Sequence, residues 1–353
     1  MNRSIMIMAG GTGGHIFPAL AVAEVLRADG WNVTWLGAPN SMEAELVPKH
    51  GYEMAWVRFS GLRGKGLLRK FLLPLNLLIA FWQSAVALFR YRPDVVLGMG
   101  GYISFPGGMM ASLLRKPLVI HEQNSVAGMS NKALAQLADR VLSGFPNVLK
   151  GAEWCGNPVR DSIAALPAPQ QRYSARRGVL NVLVVGGSLG AKAINECLPQ
   201  ALFCMPQEIE PKVIHQTGKK NFEDVQELYL SAGIDAEVKP FLDDMAHYYA
   251  WADVVICRAG ALTVAELAAA GVASILIPFP FAVDDHQTGN AKFLSDKGAA
   301  ILLPQTELTA RRLAALLQDM TREKALIMAQ AARSLAQPAA AQRVAQVCKE
   351  LAG

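Results

Sequence analysis

Ser4-Ile-Met-Ile-Met-Ala-Gly-Gly-Thr-Gly-Gly14 opens the chain, and Asn181-Val-Leu-Val-Val-Gly-Gly-Ser-Leu-Gly190 repeats its plan about half the chain later. Each copy reads as an apolar strand, a glycine turn and a helix, the helices carrying Ile16 to Leu26 and Ala191 to Leu202. A glycine turn feeding a helix N-terminus presents unpaired backbone N–H groups and the positive end of the helix dipole, which suits a phosphate. One such turn in each half implies two phosphate-bearing partners facing each other across a cleft.

The rest of the chain extends the duplication. Short runs rich in Val, Ile and Leu alternate with helical patterns, as in parallel sheets covered on both faces. The expected strands of the first half are Ser4–Ala9, Asn32–Leu36, Glu53–Val57, Asp94–Gly98, Leu118–His121 and Arg140–Leu142. Those of the second are Asn181–Val185, Lys212–His215, Ala236–Val238, Asp253–Cys257, Ser274–Ile277 and Ala300–Leu303. The fold class is α/β, with two Rossmann-like domains at 1–160 and 161–353. The proline-containing stretch Asn157–Gly178 reads as the linker. Thr309–Leu351 reads as alanine-rich helices, the last free to pack back on the first domain. Ligands of such sheets gather at the carboxyl ends of the strands.

With 353 residues, 52% hydrophobic and 18% charged, the chain can core two domains. Its five cysteines lack metal or C-x-x-C spacing and fit reduced thiols. The apolar run Ile5–Ala9 is too short for a signal-peptide core, which keeps the protein on the cytoplasmic side. Charge is uneven: no acidic residue lies between Glu53 and Asp94, where Arg58, Arg63, Lys65, Arg69, Lys70, Arg90 and Arg92 gather. Within that interval Phe71–Phe89 is uncharged over nineteen residues. This is long enough to span a membrane, but it sits between two strands of one sheet and carries Pro74, Asn76, Gln83 and Ser84. A crossover helix is therefore expected. Its apolar face would either rest in the headgroup region of an anionic membrane, or be buried while the flanking charges are merely solvated.

The motifs narrow the chemistry. Gly10–Gly14 is no P-loop, since no Gly-Lys-Ser/Thr follows. A dinucleotide fingerprint would want an acid at the end of the next strand, where Leu36-Gly37-Ala38 and His215-Gln216 stand instead. His15 closes the first turn, where the helix dipole disfavours imidazolium; it is a proton acceptor or a packing residue. Thr263-x-x-Glu266 fits a capping box; alternatively Glu266 accepts from a pair of ribose hydroxyls while N–H groups near Ala261 to Thr263 face a diphosphate. His121-Glu-Gln-Asn124, four polar residues at a strand end, reads as site-lining. Gly98-Met-Gly-Gly-Tyr102 reads as a third glycine turn, and Asp284-Asp285-His286-Gln287 as a sugar-contacting loop. No D-x-D or H-E-x-x-H occurs, so no metal is expected.

Together Gly10–His15, Ser60-Gly-Leu-Arg-Gly-Lys-Gly66, Gly98–Tyr102, His121–Asn124, Gly156-Asn-Pro-Val-Arg160, Gly186–Gly190, Ala261–Glu266 and His286-Gln287 resemble the MurG-type glycosyltransferases, in order from Ser4 to about Gly298. The resemblance implies the GT-B fold. It also implies inverting transfer of N-acetylglucosamine from UDP-N-acetylglucosamine to undecaprenyl-diphospho-N-acetylmuramoyl-pentapeptide in peptidoglycan synthesis. Donor-substrate contacts would fall on Thr12, Gly13, Gly14, Asn124, Arg160, Ser188, Leu242, Ala261, Leu262, Thr263, Val264, Ala265, Glu266 and Gln287. Leu242 would offer its backbone to uracil, and Glu266 would hold the ribose. His15 would be the catalytic base, with Glu122 the next candidate. No cofactor, metal or nucleic acid is implied. The implied partners are the two substrates, an anionic membrane surface on the cytoplasmic face of the inner membrane, and other cell-wall synthesis proteins. Two other readings remain at this point: a non-hydrolysing UDP-sugar epimerase, which would not depend on lipid, and a membrane-bound adaptor that keeps the sugar-nucleotide pocket without chemistry.

Overall fold

The computed structural model describes residues 3–59, 73–187 and 190–353. The chain divides into two compact units, Met1–Arg160 with Gln337–Gly353, and Asp161–Ala336.

The first unit is a seven-stranded parallel sheet built from β1 (Ser4–Met8), β2 (Asn32–Gly37), β3 (Glu53–Trp56), β4 (Val95–Gly98), β5 (Leu118–Glu122), β6 (Arg140–Ser143) and β7 (Glu153–Trp154). Its order is β3-β2-β1-β4-β5-β6-β7, so the winding reverses between β1 and β4, which pair from Ile5↔Val95 to Met8↔Gly98. Alternation along β1 explains why the strand is apolar throughout. Ile5, Ile7 and Ala9 pack with Ile16, Leu20 and Leu26 of α1 (Gly13–Ala28), and with Val344 and Cys348 of the chain's closing helix. Met6 and Met8 point the other way, to Ala80, Ala87 and Leu88 of the crossover helix and to Ile103 and Ala111. Among the described residues this unit also has α2 (Met42–Leu46), α4 (Ser104–Leu113) and α5 (Met129–Leu134).

The crossover helix, α3 (Leu73–Tyr91), joins β3 to β4. By length and composition it is long enough to cross a membrane, yet small residues (Ala80, Ser84, Ala87) and Leu88 seat it on the sheet. Its opposite face, at helical spacing, exposes Leu75, Leu78, Ile79, Trp82, Val86 and Phe89, with Leu78 at 64%, Trp82 at 68% and Phe89 at 64%. Phe71 and the cations Arg63, Lys65, Arg69 and Lys70 lie outside the described residues.

The second unit repeats the scheme with six parallel strands: β8 (Asn181–Val185), β9 (Lys212–Gln216), β10 (Ala236–Lys239), β11 (Val254–Cys257), β12 (Ala273–Leu276) and β13 (Ala300–Leu302). Their order is β10-β9-β8-β11-β12-β13, reversing between β8 and β11. The stretch read as a linker is partly folded, with α6 (Asp161–Ala164) and α7 (Pro169–Ser174) belonging to this unit. Pro169 starts the second of these helices instead of breaking it, since the first turn needs no N–H from that residue. The remaining helices are α8 (Lys192–Phe203), α9 (Phe222–Ala232), α10 (Met245–Trp251), α11 (Ala261–Ala270), α12 (His286–Ser295), α13 (Ala310–Gln318) and α14 (Arg322–Ser334). The closing helix α15 (Ala340–Leu351) packs in the first unit. Buried Asp253 ties the second unit together: it accepts from Arg176 at 2.5 Å, Arg322 at 3.3 Å and the Asn181 N–H at 2.9 Å.

Each unit also buries one neutral histidine. His215 lies between the Tyr229 hydroxyl at 2.9 Å and Asn195 Oδ1 at 3.1 Å, and burial pushes it down to about 3. Burial likewise pushes His121 down to about 4, against opposing effects of the Gly156 carbonyl and Glu122. In the unfolded chain both would titrate near 6.5, so between about pH 5 and 6.5 the unfolded state binds more protons and stability must rise with pH. Urea unfolding across that window should show a positive slope, reduced in His215→Asn; a flat profile would contradict the neutral, buried assignment.

Candidate active site

The carboxyl edge of β1 and β4 brings two glycine turns together. Thr12, in extended conformation, is the N-cap of α1, and the His15 and Ile16 N–H groups donate back to its carbonyl. Gly13 and Gly14 are then the first two helical residues, whose N–H groups have no partner within the helix. A Cβ on Gly14 would meet only the Thr12 hydroxyl, at 3.7 Å, so packing does not demand glycine there; close approach of a ligand would. The turn itself is held by Glu43 of α2, fully buried, which accepts from the Gly11 N–H at 3.1 Å and the Ala38 N–H at 3.3 Å. From β4, Gly101 adopts φ +85°, and a Cβ on it would stand 2.2 Å from the Gly10 carbonyl oxygen. The two turns therefore stack backbone to backbone, which only glycine permits.

His15 is half-buried, its Nδ1 2.8 Å from Gln123 Oε1 at the end of β5. The expectation that His121–Asn124 lines the site needs correcting. His121, Glu122 and Gln123 are buried, and only Asn124 is partly exposed. A core tolerates these polar groups because each is hydrogen-bonded. Glu122 is likewise corrected as an alternative base. Its carboxylate accepts from the Asn124 N–H at 2.9 Å, Asn124 Nδ2 at 3.3 Å, the Gly128 N–H at 3.0 Å and Asn131 Nδ2 at 2.9 Å. Four donors saturate its lone pairs, and it acts as a clamp on the loop that presents Asn124. Arg160 is exposed at the end of this unit.

In the second unit the turn after β8 is fastened by Gln216 of β9. Its Oε1 accepts from the Gly187 N–H at 2.9 Å, and its Nε2 donates to the Gly187 carbonyl at 2.9 Å. Ser188 lies outside the described residues. After β11, Gly260 is the N-cap of α11, which places Thr263 third in the helix. The capping-box alternative therefore fails: Thr263 is inside the helix, and no side chain caps it. The Ala261, Leu262 and Thr263 N–H groups form the open first turn, whereas the Val264 N–H donates to the Gly260 carbonyl at 2.9 Å. The Val264 side chain is also fully buried. Glu266, one turn into the helix, is buried and accepts from the Tyr249 hydroxyl at 3.1 Å. Its charge, after burial itself, helps push the Cys257 thiol up to about 12.

Around α11, Leu242 is buried between β10 and α10. Gln287 Oε1 accepts from the Phe279 N–H at 2.9 Å, and Asn290 Nδ2 donates to the Ala259 carbonyl at 3.1 Å, tying α12 to the turn before α11. Arg258 is spent on the Ile277 and Pro278 carbonyls and on Gln305. Asp284 and Asp285 both adopt left-handed backbone, at φ 51° and 49°. Among the described residues no three His, Cys, Asp or Glu side chains are grouped to hold a metal ion. Glu43, Gln216 and Tyr249 escaped the sequence reading. Gln216 ends a strand and so carried a positional signal; Glu43 and Tyr249 carried none.

Comparison with known proteins agrees with this geometry. Residues 5–143 match the Glycosyltransferase family 28 N-terminal domain, and residues 181–348 its C-terminal domain. The chain is 59% identical to the UDP-N-acetylglucosamine–N-acetylmuramyl-(pentapeptide) pyrophosphoryl-undecaprenol N-acetylglucosamine transferase of Dechloromonas aromatica over 352 residues, all of both chains. It is 61% identical to the protein of the same name from Azoarcus sp., covering 99% of this chain and 98% of that one. MurG of Acinetobacter baumannii superposes with a TM-score of 0.87 at 42% identity, over 99% of each chain. A UDP-N-acetylglucosamine 2-epimerase structure from Listeria monocytogenes, at 14% identity and a TM-score of 0.64 over 98% of this chain and 95% of that one, shares the fold alone. Two parallel sheets, each with a glycine turn at its winding reversal, and full-length identity near 60% lead to one conclusion: the chain belongs to glycosyltransferase family 28 and has the GT-B fold.

Proposed function

We propose that this chain transfers N-acetylglucosamine from UDP-N-acetylglucosamine to undecaprenyl-diphospho-N-acetylmuramoyl-pentapeptide, with inversion at the anomeric carbon. The observation that carries the reading is full-length identity near 60% to relatives named for that transfer. In the second unit, the open first turn of α11 at Ala261–Thr263 receives the UDP diphosphate, and Glu266 accepts from the ribose hydroxyls. Leu242 meets uracil through its backbone, and Gln287 and Ser188 complete the donor contacts. In the first unit, the N–H groups of Gly13 and Gly14 suit a substrate phosphate, and Thr12, Asn124 and Arg160 supply further contacts to the donor.

These assignments imply the following chemistry. The acceptor hydroxyl oxygen forms the new bond to the anomeric carbon and gives its proton to His15. The bond from that carbon to the β-phosphate oxygen breaks, and its electron pair leaves with UDP. Negative charge grows on the departing phosphate, where the N–H groups and dipole of α11 stabilise it.

Two variants test the assignments. His15→Ala should lose about 10²–10⁴-fold in turnover while binding UDP-N-acetylglucosamine as before; retained turnover would place the base elsewhere. Glu266→Ala should weaken UDP binding by roughly 2–3 kcal/mol, whereas Tyr249→Phe, which keeps the carboxylate, should leave most of the affinity. Equal UDP affinity in wild type and Glu266→Ala, measured by calorimetry, would remove the ribose assignment.

The outward face of α3 is the proposed membrane contact, with the protein peripheral to the cytoplasmic face. Six large apolar side chains lie exposed along one stripe of the helix, the kind of face that marks a membrane or partner contact. Arg90 and Arg92, both exposed, stand at the carboxyl end of the helix. Cations at such a surface add about 1 kcal/mol each on anionic lipid, screened by salt. Binding to anionic vesicles should fall as salt rises and should be lost in Trp82→Glu with Phe89→Glu, with UDP affinity unchanged. Equal binding of that variant and wild type would contradict the assignment.

A further inference from the structure

Behind His15 runs a line of hydrogen bonds whose direction is set at its far end. The Gly156 carbonyl oxygen, which can only accept, lies 2.9 Å from His121 Nε2, so that nitrogen carries the proton. His121 is buried and held neutral, and its Nδ1 is therefore an acceptor. Gln123 Nε2 stands 3.0 Å from that Nδ1 and 3.1 Å from the His121 carbonyl oxygen, two acceptors that the NH2 end of the amide must face. The amide oxygen is then left for His15, at 2.8 Å from Nδ1. An amide oxygen accepts only, so Nδ1 of His15 must be the donor. A neutral imidazole has one proton, and Nε2 keeps its lone pair.

We propose that Gln123, with His121 behind it, is a positioning residue that fixes His15 in its Nδ1–H tautomer and so presents Nε2 as the basic nitrogen. The inference rests on the reading of His15 as the base and adds what prepares it. Each member of the line is braced. Asn157 Nδ2 donates to the Gln123 carbonyl at 2.9 Å, and Asn131 Nδ2 to the His121 carbonyl at 3.2 Å. Gly100, at φ +95°, leaves the space: a Cβ there would stand 2.8 Å from His15 Nδ1 and 3.3 Å from Gln123 Oε1. The logic parallels the buried aspartate of serine proteases, which holds a catalytic histidine in the right tautomer. Here a neutral amide does the orienting, so no charge is added behind the ring.

The direct test is the tautomer of His15 in the full-length protein. Long-range 15N–1H correlation of imidazole-labelled protein, with His15 assigned by its loss in His15→Ala, should show Nδ1 protonated and Nε2 bare. His121 should show the opposite tautomer. A proton on Nε2 of His15, or an even mixture, overturns the proposal. In Gln123→Met, the tautomer preference should collapse and kcat should fall about tenfold or more, with the KM for UDP-N-acetylglucosamine unchanged. An unchanged kcat and tautomer in Gln123→Met, beside an inactive His15→Ala, would overturn the positioning role alone. Retained turnover in His15→Ala would instead overturn the base reading on which the role depends.

Discussion

The first N–H groups of a helix have no partner within it, and the organisation of this protein follows from where two such sets are left open. Parallel strands buried on both faces leave polar chemistry only at their ends. Where the winding reverses, between β1 and β4 in one unit and β8 and β11 in the other, neighbouring crossovers diverge and leave room at the carboxyl edge. Glycine turns lie there because backbone must approach backbone, as at Gly101 against Gly10.

A turn that offers its N–H groups to a ligand needs something else to hold its shape. In the first unit buried Glu43 accepts from Gly11 and Ala38; in the second Gln216 both accepts from and donates to Gly187. Glu122 does the same for the loop carrying Asn124, and Gln123 for His15. These side chains face the protein and keep open the geometry that the exposed groups use. Glu43 and Glu122 are also buried polar groups, whose stability there depends on every hydrogen-bond donor staying in place.

Period and composition carried most of the fold. All twelve expected strands occur, with no end shifted by more than one residue; among the described residues only β7, two residues long, left no periodic trace. The turns were readable because glycine pairs followed apolar runs. The site was harder to read for a physical reason: a polar residue at a strand end looks alike whether it meets ligand or is buried against backbone donors. Glu122 and Gln123 fell on the buried side, and Glu43 stood in an undistinguished stretch before it folded under the first turn. Thr263 and Glu266 had the spacing of a cap, but Gly260 starts the helix earlier, and three-residue spacing cannot reveal which residue leads.

The most direct measurement follows the sugar itself. Purified protein incubated with UDP-N-acetylglucosamine labelled in the sugar, and a short-chain lipid-diphospho-N-acetylmuramoyl-pentapeptide, should move label into the lipid-extractable fraction as a disaccharide, with UDP released in equal amount. No label should move when the acceptor is omitted. Label that stays in the nucleotide fraction with acceptor present, or that is converted there to an epimeric UDP-sugar without any acceptor, would contradict the account.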